Sequence, residues 1–343
     1  MDAKRDRQRG EMMGEATRRA LGFATLATVM LAGCGGSQQP IGVAGAMPQS
    51  HAITTHAERG EPWMLPDAKN SNLLYVVTTN SIYVLAYPGY KNIQTLWKNR
   101  HAFGPITSDL NTGNVLINVG GVLYEYRHGG QKPIAQIKTL YGYSDAADYA
   151  FDPATSSIAV SEQKPSGGGV IAIYSTPSGN PTIYSVPNVA YPSYLGYDAM
   201  GDLFVQGRSS ANGPWVFAEL LKNASMFTDI SLDKTLTYMG TVQWDGSYIT
   251  IASANVVYQI EVSGSTGSVV GETTLDKGWQ RRPAYWMQDG VVLGDHTSRE
   301  HGGRYLGLWS YPLGGRAFKV LKNLSANKKE WIESEAVSIA PSR

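Results

Sequence analysis

The sequence is short of several things, and most of the shortages remove a class of protein. It has one cysteine, Cys34, which excludes an intramolecular disulfide framework and any cysteine-rich metal site. Its net charge is only +1, so it lacks the concentrated positive charge that binding a phosphate backbone requires. Nucleic acid is therefore not an expected partner. Charged residues make up 17%, against about 25% in ordinary soluble proteins. The apolar run at residues 20–33 is too short to stay in a bilayer as a spanning helix. Helical periodicity is scarce; apolar residues alternate instead, as in Tyr124-Glu125-Tyr126 and Val257-Tyr258-Gln259-Ile260. Present in quantity are 38 Gly, 20 Tyr and 8 Trp, which suits short strands, tight turns and aromatic-faced sheets.

The lone cysteine has a different use. Arg18 and Arg19 flank the apolar run, and Leu31-Ala32-Gly33-Cys34 closes it with small residues. This arrangement resembles the lipobox of bacterial lipoproteins, and it implies cleavage before Cys34 and lipidation of its thiol. Thr17-Arg18-Arg19-Ala20-Leu21 loosely resembles a twin-arginine export signal, so the route stays open between that and the general one. Gly35 resembles the sorting residue of outer-membrane lipoproteins. Residues 35–62 are rich in Gly, Ser, Gln, Pro and Ala and read as a flexible tether averaging roughly 30 Å in span. The expected layout is thus a signal peptide over 1–34, a tether over 35–62 and a folded domain over 63–343, exported to the cell envelope and held by lipid.

The folded part repeats. An aspartate ends a short apolar stretch and precedes a turn and a strongly apolar run at Asp67, Asp109, Asp152, Asp198, Asp245 and Asp289, spaced 42 to 47 residues apart. That spacing is the length of a four-stranded propeller blade. Two further β-runs follow in each unit. Aspartate at such a place caps a turn by bonding backbone two residues on, so the six are expected to hold turns and not a calcium ladder. Residues 334–341 repeat the strand that precedes each aspartate, whereas the first copy is broken by Pro62 and Pro66. The fold predicted is all-β: a six-bladed β-propeller of four-stranded blades, its ring closed by the C-terminal strand, which abolishes exposed edges.

With Gly196-Tyr197-Asp198, Gly201-Asp202-Leu203-Phe204-Val205 and Val242-Gln243-Trp244-Asp245-Gly246 in view, residues 63–341 resemble NHL-repeat and gluconolactonase-like six-bladed propellers, and more closely uncharacterised bacterial β-propeller lipoproteins. Gluconolactonase-like enzymes hold a divalent metal with Glu, Asn and Asp around the channel. The positions expected there carry Thr107, Ser108, Gln243, Trp286, Met287 and Ser338, with Asp148, Glu333 and Glu335 nearby, and do not recreate that set. The resemblance carries the fold and leaves the activity open.

Strand order assigns the loops to two faces. Tyr191, Tyr194, Trp279, Arg281, Arg282 and a loop at 295–304 containing His296 and His301 fall on the face away from the aspartates, where propeller ligands usually sit. Tyr194, Trp244, Trp279, Arg281, Arg282, Trp286, His296 and His301 are the ligand-contact candidates; no catalytic set, metal or cofactor is expected. The function expected is a non-catalytic module binding an envelope protein or glycan. The alternatives are a metal-dependent lactonase-like hydrolase and a structural component of an envelope assembly.

Overall fold

In strand β1 (Asn72–Thr78) every residue from Leu73 to Val77 is buried, so both faces of the strand are covered. Alternation then divides it between two cores: Leu73, Tyr75 and Val77 join one apolar cluster, and Leu74 and Val76 join the next. This is why the central strands read as continuous apolar runs. β2 (Ile82–Tyr87) and β3 (Asn92–Leu96) complete an antiparallel meander with β1.

The computed structural model describes residues 64, 66–78, 81–97, 103–141, 148–238, 240–278, 285–297, 304–322 and 332–342. The same meander recurs as β4 (Phe103–Ser108), β5 (Val115–Val119), β6 (Val122–Tyr126) and β7 (Pro133–Lys138). It returns as β8 (Tyr149–Phe151), β9 (Ile158–Gln163), β10 (Gly169–Tyr174) and β11 (Thr182–Ser185). Next come β12 (Tyr191–Tyr197), β13 (Leu203–Arg208), β14 (Trp215–Leu220) and β15 (Thr228–Leu232). β16 (Val242–Trp244), β17 (Ile249–Ser253), β18 (Val256–Ser263) and β19 (Thr266–Thr274) follow. The last repeat is β20 (Tyr285–Gln288), β21 (Val291–Thr297), β22 (Arg304–Ser310) and β23 (Lys319–Leu321). Finally β24 (Ile332–Ala340) crosses to the first sheet and pairs with β1, giving the order β24-β1-β2-β3. The C-terminal strand is the innermost strand of the first sheet, as its sequence repeat predicts.

The arrangement is all-β and propeller-like, with a single short 3₁₀ turn at Pro66–Ala68 among the described residues. Separate four-stranded sheets were expected throughout, and four are found; β12–β15 and β16–β19 instead share one eight-stranded sheet. The junction is parallel, between Ser231 and Thr266 and between Leu232 and Gly267. It forms because β18 and β19 run on to a tight turn at Gly264-Ser265, far beyond the short runs visible in the sequence. The extension brings Ser265 O and Gly267 O to the amides of Ser231 (2.9 Å) and Asp233 (3.1 Å).

Six apolar clusters fill the spaces between successive meanders, the last of them joining β1 and β2 to β21 and β22. The first strands of the meanders converge and touch in succession: β24 lies on β4, β4 on β8, β8 on β12, β12 on β16 and β20 on β24. Hydrogen bonds complete the circle. Ser108 Oγ and Ser338 Oγ lie 2.5 Å apart, and the Leu195 amide donates to Asp148 Oδ2 at 2.8 Å. Between β16 and β20 the Gln243 side chain acts as a piece of strand: its Nε2 donates to Met287 O (2.7 Å) and its Oε1 accepts from Met287 N (2.8 Å). Gly196 is needed at the β12–β16 approach, since a Cβ there would lie 2.4 Å from Val242 O.

Four of the six repeated aspartates hold turns as expected. Asp109 and Asp152 each accept an amide two residues on, at 2.8 Å, and a threonine hydroxyl three residues on, at 2.6 Å. Asp198 and Asp245 accept the amides of Met200 and Ser247, both at 2.8 Å. The other two depart. Asp67 sits in the 3₁₀ turn and pairs with Lys91 at 2.7 Å. Asp289 is itself a central turn residue, at φ +52° before Gly290 at +74°, which is the two-residue hairpin geometry that Asp-Gly favours.

Ile339 is fully buried where the ring closes. Ile339→Ala should cost about 2–5 kcal/mol in urea unfolding. Removal of residues 332–343 should abolish the cooperative transition, because it bares β1 and empties one cluster together.

Candidate functional site

The converging strands enclose a cavity of about 220 Å³. Its wall runs from Asp148 and Thr241 at the strand beginnings to Leu110, Pro153 and Ala199 in the turns that follow β4, β8 and β12. Tyr194, Trp244 and Trp286 all line it, so the structure brings three predicted contact residues to one place. Thr107, Ser108 and Gln243 line it as expected, while Met287 and Ser338 are buried behind the wall.

Little of its polarity is free. Gln243 is committed to Met287, and Thr241 Oγ1 donates to Tyr285 O (3.0 Å) and accepts from Tyr285 N (3.1 Å). Asp148 Oδ2 is held by the Leu195 amide, and the Trp286 indole N–H donates to Gln288 Oε1 at 3.3 Å. Inter-strand bonding engages most of these polar groups.

His296 lies elsewhere, and it is not on a loop. β21 continues through Thr297, so His296 pairs with Tyr305 and stacks on Trp309 with ring centroids 5.9 Å apart. Gly307 makes room for this stack, because a Cβ there would come within 2.4 Å of the indole. Burial, followed by the charge of Lys277, holds the imidazole below its usual pKa. Cys34, Trp279, Arg281, Arg282 and His301 lie outside the described residues.

The turn face carries two features that the sequence reading passed over. Around the cavity mouth, Leu110 and Met200 are 48% and 70% exposed, and Leu221 and Leu313, in turns at the same end of their meanders, are 53% and 86% exposed. Beside the mouth, between the β12–β15 and β16–β19 meanders, lies a cleft of about 540 Å³ that shares Trp244 and Asp198 with the cavity.

One side chain in that cleft is mismatched. Glu125, Glu219 and Gln259 occupy equivalent positions, each opposite the second residue of the neighbouring strand β5, β13 or β17. Glu125 accepts from Asn114 Nδ2 at 2.6 Å, and Gln259 Nε2 donates to Asp245 Oδ2 at 2.7 Å. Burial alone would raise Asp245, but bonds from Tyr311, Gln259, Tyr248 and Ser247 outweigh it and keep the carboxyl below its ordinary range. Glu219 is only 8% exposed and faces Asp198 and Asp202 instead. Burial, then the charges of Asp202 and Asp198, push it up to about 7.

No protein-family model matches the chain, and no curated protein is similar to it. Solved structures do share its fold. A protein of unknown function from Bacteroides caccae is 11% identical with a TM-score of 0.53, over 80% of this chain and 100% of its own. A chain of the nidogen/laminin complex is 11% identical with a TM-score of 0.59, over 79% of this chain and 99% of its own. At such identities the likeness is one of fold alone.

Glu219 makes stability depend on pH. The folded carboxyl keeps its proton up to about 7, whereas an unfolded one releases it near 4.5, so stability falls as pH rises through that window. The loss is at most about 3 kcal/mol. Glu219→Gln should therefore gain about 1–3 kcal/mol at pH 8 and almost nothing at pH 5. Thermal melts at the two pH values check this, and a variant less stable at pH 8 would contradict it.

Proposed function

We propose that the chain is an exported lipoprotein, lipidated on Cys34, whose folded domain is a six-bladed ring of four-stranded blades akin to NHL-repeat propellers. On this reading the eight-stranded sheet is two blades seamed at their outer edges. The ring is a non-catalytic module that binds an envelope protein through the face carrying the aspartate turns.

The observation behind this is an apolar cavity with exposed Leu110 and Met200 at its mouth and exposed Leu221 and Leu313 in other turns of the same face. Exposed apolar side chains gathered on the face around a cavity suit a protein partner. A glycan would need several free hydrogen-bonding groups beside the aromatic rings, and here Gln243, Thr241 and Trp286 are already engaged. A lactonase-like site fits less well: the carboxylates lining the cavity are Asp148 and Asp198, both holding backbone amides. The face differs from the one favoured by strand order alone.

Two experiments test this. Cys34→Ser should move the protein from the membrane fraction to the soluble envelope fraction and abolish labelling with a fatty-acid analogue; unchanged fractionation would remove the anchor. A photo-crosslinking residue at Met200 should trap one discrete polypeptide in the cell envelope, and Leu110→Asp should abolish that adduct. Adducts formed equally well from Gly120, at the other end of the meander, would refute the choice of face.

A further inference from the structure

Phe204, Glu219 and Thr228 form a row across β13, β14 and β15, and all three line the cleft beside the cavity mouth. Glu219 is more than nine-tenths buried, and among the described residues no donor bonds its carboxylate. Asp198 and Asp202 approach it from the turn between β12 and β13. One oxygen of Asp198 accepts the Met200 and Asp202 amides, and one of Asp202 accepts the Lys222 amide at 2.6 Å, leaving each a second oxygen. The Lys222 side chain lies over Gly201 and forms no ion pair with them. From β18, Glu261 adds negative charge to the same cleft.

We propose that this cleft accepts a basic side chain, a lysine ammonium or arginine guanidinium, from the protein partner. The proposal rests on the reading that the turn face is the binding face. A cation supplies what Asn114 gives Glu125 and Gln259 gives Asp245, namely a donor for a carboxylate. An organic cation fits better than a metal ion. Among the described residues no three His, Cys, Asp or Glu side chains converge as metal ligands. The opposite wall is Trp244 and Tyr248, which suits a methylene stem and a cation over an aromatic ring. Ionised Glu219 holds the cation best, so binding strengthens as pH rises past about 7.

The test is calorimetric titration of the full chain with acetyl-arginine methylamide and its neutral citrulline counterpart. The arginine probe should saturate one site at pH 8, with citrulline at least ten-fold weaker. Its affinity should fall several-fold at pH 5.5 and at least ten-fold in Glu219→Gln, a variant expected to fold at least as stably as the parent. Equal binding of the two probes, no binding of either, or an unchanged affinity in Glu219→Gln would overturn the proposal. Stoichiometric calcium binding lost in Glu219→Gln would replace it with a metal site, and spermidine binding a hundred-fold tighter than arginine would replace the partner with a free polyamine. The Met200 crosslink separates this idea from the one beneath it. A crosslink lost in Leu110→Asp but intact in Glu219→Gln, with no arginine binding, removes the cation site and keeps the binding face. Arginine binding with a crosslink indifferent to Leu110→Asp does the reverse.

Discussion

Everything else in this molecule depends on the backbone pairing of β24 with β1. A propeller-like ring built from consecutive meanders has two ends, and each end is a sheet face with no neighbour. By supplying the innermost strand of the first sheet, the C-terminal segment places Val337 and Ile339 in the cluster shared with β21 and β22. It also places Ser338 against Ser108 of the second sheet. One strand therefore answers to three sheets. The apolar clusters become a circle instead of a stack, and the cavity exists only because the circle is complete.

Ring geometry then decides what polar side chains can do. Near the centre the strands are close enough for single side chains to reach across, and Thr241, Gln243 and Asp148 serve as ties between meanders. This commitment leaves an aromatic, mostly apolar interior among the described residues. At the turn face the geometry is looser, and there the charge pattern departs from its own repeat. Glu125 and Gln259 each meet a complementary turn side chain, whereas Glu219 at the equivalent position faces two further carboxylates.

The repeat was legible in the sequence because it is written in spacing: strand runs, turn aspartates and the copy at residues 334–341 all recur at blade length. The first-strand residues at the cavity could be named for the same reason. Position along a repeat fixes depth in the ring, so Trp244 and Trp286 could be picked out, whereas Tyr194, expected on the loop face away from the aspartates, lies in the cavity wall instead. Departures from the repeat were not legible. Asp289 looks like its counterparts, but Gly290 directly behind it makes a two-residue hairpin with the aspartate inside the turn. His296 reads as loop because Asp295-His296-Thr297 is polar, yet pairing with Leu306, Tyr305 and Arg304 keeps it strand. The β15–β19 junction depends on the outward reach of two strands, a length that local alternation does not encode. Glu219 could have been flagged by aligning Glu125 and Gln259 with it, since a polar residue at that position implies a turn partner. What surrounds it could not be read without the fold.

The β15–β19 junction also has a mechanical meaning. Between the β16–β19 and β20–β23 meanders a few main-chain bonds also pass, from Gly315 to Thr274 and from Asp276 to Gly315. But most adjoining sheets meet through side chains, and such contacts slide or part without breaking any backbone ladder. Here two sheets are stitched along their rims by main-chain bonds from Ser231 and Asp233. They form one stiff plate occupying two places in the circle. Any breathing of the ring is then carried by the remaining, unstitched boundaries. The walls of the acidic cleft, both belonging to the plate, keep their spacing while the rest of the circle flexes.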